Sequence, residues 1–300
     1  MNRLETKFLG VTLKNPVIAA SGTFGFGREY NEFYDVGRLG GISSKGLTLQ
    51  GKDGNTGIRI WETAAGIMNS IGLENPGVRG FIENELPAMR HYGCGVIVNL
   101  GGNTLDDYIK GVELLNDEQF DILELNISCP NVKEGGMAFG IRATDVENVT
   151  KRVKERCVHP LMVKLSPNAE NVVDAAMAAQ EGGADGVSLV NTFQAMAIDS
   201  RAKKAVFDNL YAGLSGPAIK PIALRMVHQV AKAVKIPVCG MGGIQSWQDA
   251  LEFIMAGAAA VQVGTGNFHD MYAPLSIIEG LEKYCEEENL QNISEVRGII

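Results

Sequence analysis

Residues 121–136 read DILELNISCPNVKEGG, and their first half has the pattern of a buried strand. Apolar residues alternate there with Glu124, Asn126 and Ser128, so the polar side chains share one face of the strand. The proline that follows Cys129 cannot donate to a sheet, and it disfavours helical angles in the residue before it. The strand is therefore expected to end at Cys129, with its polar face toward an enclosed interior.

Seven more apolar runs occur along the chain, and most of the runs end in Gly, Ser, Asn or Thr. In chain order the eight runs are VIAASG (17–22), GGISSKG (40–46), GVIVNLGG (95–102), DILELNIS (121–128), PLMVKLSP (160–167), GVSLVNT (186–192), IPVCGMGG (236–243) and AAVQVGTG (259–266). Stretches of helical pattern, such as 168–182 and 245–256, separate them. Because near-continuous apolar strands that alternate with helices favour parallel pairing, the eight units predict an α/β fold, a (β/α)8 TIM barrel, as one domain over residues 1–300.

The segments outside the runs predict the remaining architecture. Residues 4–13 contain two short strand patterns that turn at Gly10, which predicts an N-terminal β-hairpin that plugs one end of the barrel. The segments 47–83 and 193–216 are too long for bare connections, so they are expected as insertions over the C-terminal mouth. A doubly wound sheet is the competing fold, but GTFGFG (22–27) lacks the spacing of a dinucleotide-binding turn.

Composition argues against several classes of partner and site. The 300 residues carry a net charge of −8, with a pI near 5.2, which disfavours nucleic acid or an anionic membrane surface as a partner. No window approaches the roughly 18 uninterrupted apolar residues of a membrane span, and the N-terminus lacks a signal-peptide pattern, so a cytoplasmic protein is expected. The five cysteines form no C-x-x-C pair and the four histidines lack ligand spacing, so no disulfide, metal site or iron–sulfur cluster is predicted within this chain.

Glycine-rich turns follow the seventh and eighth runs. Gly242 and Gly243 precede a helical pattern, while Gly264, Thr265 and Gly266 end the eighth run. Residues without a Cβ let backbone N–H groups approach an anion, and phosphate sites after strands seven and eight recur in TIM barrels. The turns therefore predict that one phosphate of a ligand binds here, and glycines needed only for tight turns are the alternative.

Lys164 stands inside the apolar run PLMVKLSP, where burial penalises an unpaired charge. It is expected to face an anionic or electron-rich ligand, and a structural ion pair with Glu124 is the alternative. Lys45 is a weaker candidate for ligand binding, because a lysine at a strand end is commonly solvated.

Amide side chains at the same mouth can hydrogen-bond to both the donors and the acceptors of a planar imide. These polar residues are Asn69, Asn99, Asn126, Asn131 and Asn191, with Thr192.

The motifs taken together resemble one known family. VIAASG, SKG, NSIGL, NISCPN, VKLSP, VNT, GMGGI and VGTG occur in this order across nearly the whole chain, which is similar to the dihydroorotate dehydrogenases. The resemblance implies a single FMN-binding barrel domain that oxidises dihydroorotate to orotate in de novo pyrimidine (UMP) biosynthesis. It also implies a partner for Lys164, which would lie near the N1/O2 edge of the flavin and stabilise the negative charge of reduced flavin.

The resemblance further implies which residues form the site. The FMN-binding residues would be Ser21, Lys45, Gly46, Asn99, Asn126, Lys164, Val190, Gly216, Gly242, Gly243, Gly264 and Thr265. The substrate-binding residues would be Lys45, Asn69, Ser70, Ile71, Gly72, Leu73, Asn126, Asn131, Asn191 and Thr192. Cys129 would be the base that takes the C5 proton while hydride leaves C6 for flavin N5, since a thiol with a reference pKa of about 8.5 is partly ionised near neutrality. A buried cysteine without a chemical role is the alternative.

The family includes a soluble class that uses cysteine as the base, and this chain could belong to either of its two subtypes. Class 1A passes electrons to fumarate, and class 1B passes them to NAD through a partner; the membrane-associated class resembles this chain less, because it uses a serine base. NTFQAMAIDSRAKK (191–204), GLSGPAIKPIALR (213–225) and IPVCGMGGI (236–244) are more similar to class 1B. That subtype implies an electron-transfer subunit with FAD and a 2Fe-2S cluster, on a homodimer of this chain in a heterotetramer. The alternatives are an FMN barrel acting on another pyrimidine, or a barrel that binds FMN or a phosphorylated metabolite without dehydrogenating a substrate.

Overall fold

A computed structural model describes residues 2–128 and 139–300. Eight parallel strands close into a barrel, and helices surround it. The predicted (β/α)8 TIM barrel is therefore confirmed. Two residues that the sequence assigns to the site, Cys129 and Asn131, lie outside the described residues.

The elements are numbered in chain order. The strands are β1 (Thr6–Phe8), β2 (Val11–Leu13), β3 (Val17–Ala19), β4 (Gly41–Ser43), β5 (Gln50–Lys52), β6 (Ile60–Thr63), β7 (Gly66–Asn69), β8 (Asn75–Pro76), β9 (Gly95–Leu100), β10 (Ile122–Asn126), β11 (Leu161–Lys164), β12 (Gly186–Leu189), β13 (Phe193–Met196), β14 (Ile198–Asp199), β15 (Lys204–Ala205), β16 (Tyr211–Ser215), β17 (Val238–Met241) and β18 (Ala260–Val263). The α-helices are α1 (Arg28–Asn31), α2 (Gly77–Asn84), α3 (Leu86–His91), α4 (Leu105–Leu115), α5 (Ala143–Lys154), α6 (Val172–Glu181), α7 (Lys220–Ala233), α8 (Trp247–Met255), α9 (Gly266–His269) and α10 (Ala273–Glu287). Short 3-10 helices span Val36–Arg38, Pro217–Ile219 and Ile293–Val296.

The barrel strands follow one another around the ring in the order β3, β4, β9, β10, β11, β12, β17 and β18, and β18 pairs with β3 to close it. Each lies within one of the eight predicted runs, and all the pairs are parallel. The paired strands end before the runs do. The last residues of each run therefore lie at the C-terminal end of the barrel, where TIM-barrel active sites form.

Helix starts explain where the sequence prediction was inexact. The helical pattern at 168–182 becomes α6 only from Val172, because the side chain of Asn171 caps the helix by accepting from two backbone N–H groups. The pattern at 245–256 becomes α8 from Trp247, after a capping box formed by Ser246 and Asp249. The second cap places the turn after β17 just before the N-terminus of α8.

The N-terminal hairpin closes the bottom of the barrel. β1 and β2 pair antiparallel, and Phe8, Leu9 and Leu13 pack in one buried cluster with Ile97 and Ile122 of the barrel. This confirms the predicted plug. Because the plug fills one end with apolar side chains, a ligand can reach the barrel interior only from the opposite, C-terminal mouth.

The two long insertions pair with each other, which the sequence did not predict. Strands β6 and β7 from the first insertion and β13 and β16 from the second form one antiparallel sheet, in the order β13, β16, β7, β6. Asn69 of β7 lies opposite Gly213 of β16 in this sheet. The insertions are thus one structural unit that covers the C-terminal mouth.

Within residues 2–128 and 139–300, no helix combines the length and apolar character needed to cross a membrane. In the same ranges, no group of three or more His, Cys, Asp or Glu side chains is placed to hold a metal ion.

Candidate active site

The polar face predicted for β10 points into the barrel, where Glu124 is fully buried. Its carboxylate accepts hydrogen bonds from Ser43 Oγ (3.1 Å), Asn99 Nδ2 (2.5 Å), Ser188 Oγ (2.8 Å) and Gln262 Nε2 (2.8 Å). These donors come from four different barrel strands. With Lys164, which lies beside the carboxylate, they form what we call the polar layer: Ser43, Asn99, Glu124, Lys164, Ser188 and Gln262.

Lys164 is the cation of the polar layer. Its Nζ lies 3.8 Å from Glu124 Oε2, and its side chain is only 6% exposed. Within the described part of the chain, Nζ donates no hydrogen bond to protein. Because a buried ammonium needs acceptors for its three N–H groups, Lys164 is expected to contact a ligand as well as Glu124. The ion pair with Glu124, which was the structural alternative for Lys164, is therefore present. It leaves the N–H groups of Lys164 available to a ligand.

The surroundings of Glu124 keep it ionised. Burial alone would raise the pKa of this carboxyl, but the Lys164 charge and the hydrogen bonds from Asn99, Gln262 and Ser188 hold the pKa below its usual value. A carboxylate and an ammonium therefore face each other immediately beneath the mouth.

Three asparagines extend from Glu124 toward the mouth in a chain of hydrogen bonds. Asn99 donates to Glu124, Asn126 Nδ2 donates to Asn99 Oδ1 (3.4 Å), and Asn191 Nδ2 donates to Asn126 Oδ1 (3.4 Å). Ser128 lies between the outer two: its Oγ donates to Asn126 Oδ1 (2.8 Å) and accepts from Asn191 Nδ2 (2.5 Å). The structure thus brings together three of the asparagines that the sequence singled out.

Gly46 and Lys45 follow β4 beside these amides. A Cβ at Gly46 would lie only 3.0 Å from Asn99 Oδ1, so glycine keeps that space open. Lys45 is half-buried and lines a cavity of about 390 Å³ together with Glu74. A 2.6 Å hydrogen bond from Arg59 and the charge of Lys45 lower the pKa of Glu74, so the two lysines of the site face different carboxylates.

The two glycine turns meet beside the mouth, but they need glycine for different reasons. Gly243 has φ +76°, and a Cβ there would lie 2.8 Å from Lys220 Cβ and 2.9 Å from Gly216 O. Its glycine is therefore required by the protein itself. Gly264 has no left-handed φ, and its Cβ would meet Ala20 at an ordinary 3.7 Å. Neither backbone nor packing requires glycine at position 264.

Unpaired backbone donors lie in the same two turns. In residues 2–128 and 139–300, the N–H groups of Gly243, Ile244, Gly264 and Thr265 have no hydrogen-bond acceptor. A Cβ on Gly266 would lie 2.8 Å from Ile244 O, so the turns are in contact. Because adjacent unpaired N–H groups favour an anion, this arrangement fits the predicted phosphate. A requirement for glycine at position 264 would then come from the ligand.

The predicted substrate segment, 69–73, bridges the insertion sheet and the mouth. Asn69 Nδ2 donates to Gly213 O (3.4 Å), and Gly213 packs against the side chain of Thr192, where any Cβ would collide. At the other end, Leu73 adopts φ +56° and its side chain approaches Gly46. All five residues of the segment are half-buried, so the segment forms one wall of the mouth.

The remaining predicted FMN residues border the glycine turns. Ser21 is half-buried after β3, and buried Val190 donates its backbone N–H to Met241 O (3.0 Å) beside Gly242. Sequence reasoning missed Ser43, Ser188, Gln262 and Ser215. The signal for the first three was a polar residue within an apolar run, as at Glu124, but only the closed barrel shows that they share one carboxylate.

Comparison with known proteins agrees with this geometry. A family model described as dihydroorotate dehydrogenase matches residues 3–285. A relative from Petrotoga mobilis is 58% identical over 299 residues, which cover 99% of this chain and 100% of the relative. Relatives from Thermoanaerobacter pseudethanolicus and Brachyspira hyodysenteriae are 52% and 50% identical, over 98% and 99% of both chains. All three relatives are named dihydroorotate dehydrogenase B (NAD(+)), catalytic subunit.

Proposed function

The chain belongs to the dihydroorotate dehydrogenase family, and on that premise we propose that it oxidises dihydroorotate to orotate in pyrimidine biosynthesis, with FMN in the barrel mouth. The observation that carries the proposal is Lys164, a buried ammonium without a hydrogen bond to the described protein, beside three linked asparagines. A cation fixed there suits the electron-rich edge of a flavin. The adjoining amides suit a planar imide.

The residues present fit FMN. The glycine turns offer unpaired N–H groups to its phosphate, and Lys164 offers a positive charge at the inner end of the mouth. The proposed FMN residues are Ser21, Lys45, Gly46, Asn99, Asn126, Lys164, Val190, Gly216, Gly242, Gly243, Gly264 and Thr265, within one barrel domain over residues 1–300. When bound, FMN supplies at N5 the acceptor for the hydride that leaves C6 of dihydroorotate.

The protein's own part in the reaction is binding, orientation and proton removal. The proposed substrate residues are Lys45, Asn69, Ser70, Ile71, Gly72, Leu73, Asn126, Asn131, Asn191 and Thr192. Cys129, the proposed base, follows Ser128 in the sequence, and Ser128 is fixed by hydrogen bonds to Asn126 and Asn191. The Cys129 thiolate would take the C5 proton, and the insertion sheet would limit access of water to the mouth.

We assign the chain to class 1B, as the catalytic subunit of an NAD-linked enzyme in the cytoplasm. The names of its relatives support this assignment, as does the absence from the sequence of a nicotinamide-binding fingerprint and of grouped cysteines. Electrons would pass to NAD through a subunit that carries FAD and a 2Fe-2S cluster, docked on a homodimer of this chain in a heterotetramer.

Anaerobic titration tests the activity. The purified chain is expected to be yellow, and dihydroorotate is expected to bleach it without oxygen, whereas dihydrouracil is not. Bleaching by dihydrouracil alone would indicate an FMN barrel for another pyrimidine. A colourless protein that binds a sugar phosphate would indicate a barrel without dehydrogenase activity.

A steady-state assay of the chain alone tests the subtype. Dihydroorotate oxidation is expected with an artificial acceptor but not with NAD or fumarate. Rapid turnover with fumarate would assign the chain to class 1A, and rapid turnover with NAD would remove the need for a partner.

A further inference from the structure

Glu124 contacts side chains from more barrel strands than it would need to if it only paired with Lys164. It lies on β10 and binds side chains from β4, β9, β11, β12 and β18. Both carboxylate oxygens are used: Oε2 accepts from Ser43 and Asn99, and Oε1 accepts from Ser188 and Gln262. Six of the eight barrel strands therefore meet at one charged group.

Stability alone does not explain this arrangement. Removing two charges from water costs several kcal/mol per ion, and a buried ion pair often contributes no more than apolar residues of similar volume. Gln262 illustrates the imbalance: its Nε2 binds Glu124, but its Oε1 is buried without a partner in the described residues.

The hydrogen bonds above Glu124 all run in one direction. A carboxylate only accepts, so Asn99 must turn its NH₂ toward Glu124 and its carbonyl oxygen toward Asn126. Asn126 must then donate to Asn99 and present its own oxygen to Asn191. The ionised carboxylate therefore determines which end of each amide faces the next residue outward.

We propose that Glu124 is a positioning residue, which orients the amides of Asn99, Asn126 and Asn191 toward the substrate and fixes the charge of Lys164 beneath the flavin. This inference rests on the proposed function, because it assigns Glu124 to the same pocket. Its chemical basis is that the carboxylate is both the acceptor that starts the amide chain and the negative charge that balances the ammonium.

The test is Glu124→Gln, an almost isosteric change that removes the charge and introduces a donor. We expect orotate to bind about tenfold more weakly, because the first amide of the chain is no longer held in one orientation. The midpoint potential of bound FMN should rise by about 30 mV, which corresponds to tenfold tighter binding of reduced over oxidised flavin for two electrons. The potential should rise because the negative charge of Glu124 is removed while the positive charge of Lys164 remains, which favours the more negative reduced flavin.

Glu118→Gln is the matched control. It makes the same chemical change at a carboxylate outside the site, which pairs with Arg90, so the potential and the orotate affinity should stay near those of the wild type. Glu124→Asp is the second variant, in case Glu124→Gln does not fold. It keeps the charge but withdraws it from Lys164, so a smaller shift of potential with the same sign is expected.

Three outcomes are distinguishable. If the wild type is not bleached by dihydroorotate, the proposed function fails first. If the wild type is bleached but a folded Glu124→Gln or Glu124→Asp protein keeps its potential and orotate affinity, Glu124 is only structural. If Glu118→Gln shifts both quantities as much as Glu124→Gln, loss of a negative charge anywhere on the protein explains the effect and the proposal is overturned.

Discussion

Thr265 Oγ1 and Ser215 Oγ are hydrogen-bonded at 2.8 Å, which joins the end of the eighth barrel strand to the insertion sheet. Ser215 ends β16 and precedes Gly216, whose carbonyl lies against Gly243. Ser215 and Gly216 therefore connect both glycine turns to the insertion sheet over the mouth. Ligand binding in the turns and closure of the mouth are expected to depend on each other.

Lys164→Ala should destabilise the fold and release FMN. It leaves Glu124 buried without its cation, and breaking a buried pair in this way costs about 3–5 kcal/mol. Any FMN that remains bound should have a lower midpoint potential, because the positive charge beneath it is gone. Urea unfolding and the flavin absorbance of the purified protein measure the two effects.

Lys154→Ala is the control for this change. It breaks the half-exposed ion pair with Asp185, which is expected to contribute about 1 kcal/mol or less, and it lies on the outer helix α5. A Lys164→Ala protein that purifies fully yellow with unchanged potential and turnover would leave Lys164 as nothing more than the ion-pair partner of Glu124.

Gly264→Ala should reduce FMN affinity at least about tenfold without lowering stability, because the added methyl group meets only ordinary contacts inside the protein. Gly93→Ala is the control: it is the same substitution, at a position where it should affect stability but not FMN binding. Gly93 has φ +71° and open space around it, so alanine should cost about 1–2 kcal/mol of stability and leave FMN binding unchanged. Thermal unfolding and FMN titration are measured on both. Equal FMN affinity in the two variants would show that the ligand does not require glycine at position 264.

Cys129→Ser should retain FMN but slow flavin reduction by dihydroorotate at least about a hundredfold at pH 7, because a hydroxyl is a much weaker base than a thiol near neutrality. The rate should partly recover at higher pH. Anaerobic stopped-flow absorbance measures the step directly. Wild-type speed in the variant at pH 7 would exclude Cys129 as the base.

Thiol labelling gives an independent test of Cys129. Burial raises the pKa of Cys94 to about 12, and it also raises the thiol pKa of Cys157, Cys239 and Cys285, so these four thiols should react slowly with iodoacetamide at pH 7.5. Peptide mass spectrometry should find Cys129 modified first, and orotate should protect it. Faster labelling of Cys94, or no protection by orotate, would contradict the assignment.

The acid sensitivity of the fold should depend on Glu124. Its pKa in the folded protein lies below the ordinary value of 4.5, so its stabilising contribution is present above about that pH and is lost as the pH falls through the folded value. The nearby Cys239 thiol stays neutral in this interval, because burial raises its pKa. Glu124→Gln should therefore lose less unfolding free energy than the wild type between pH 5 and pH 3. Parallel losses in urea titrations would count against an ionised Glu124.

The sequence by itself determined the barrel, because the features that define it are local. Each strand lies within an apolar run, most of these runs end in Gly, Ser, Asn or Thr, and the hairpin plug needs only two short runs and a turn at Gly10. The expectation that the polar face of 121–128 points inward was also confirmed, since strand alternation fixes side-chain direction whatever lies opposite.

Only the tertiary structure decided how distant residues meet. Asn69 lies opposite Gly213 because two insertions far apart in the chain share one sheet register, which no local pattern contains. The different needs for glycine at positions 243 and 264 depend on backbone angle and on neighbours from other elements. Barrel closure likewise brings side chains from six strands to Glu124. The physical reason is that a strand sequence specifies which side chains point inward, whereas burial from water and long-range register determine which of them form hydrogen bonds.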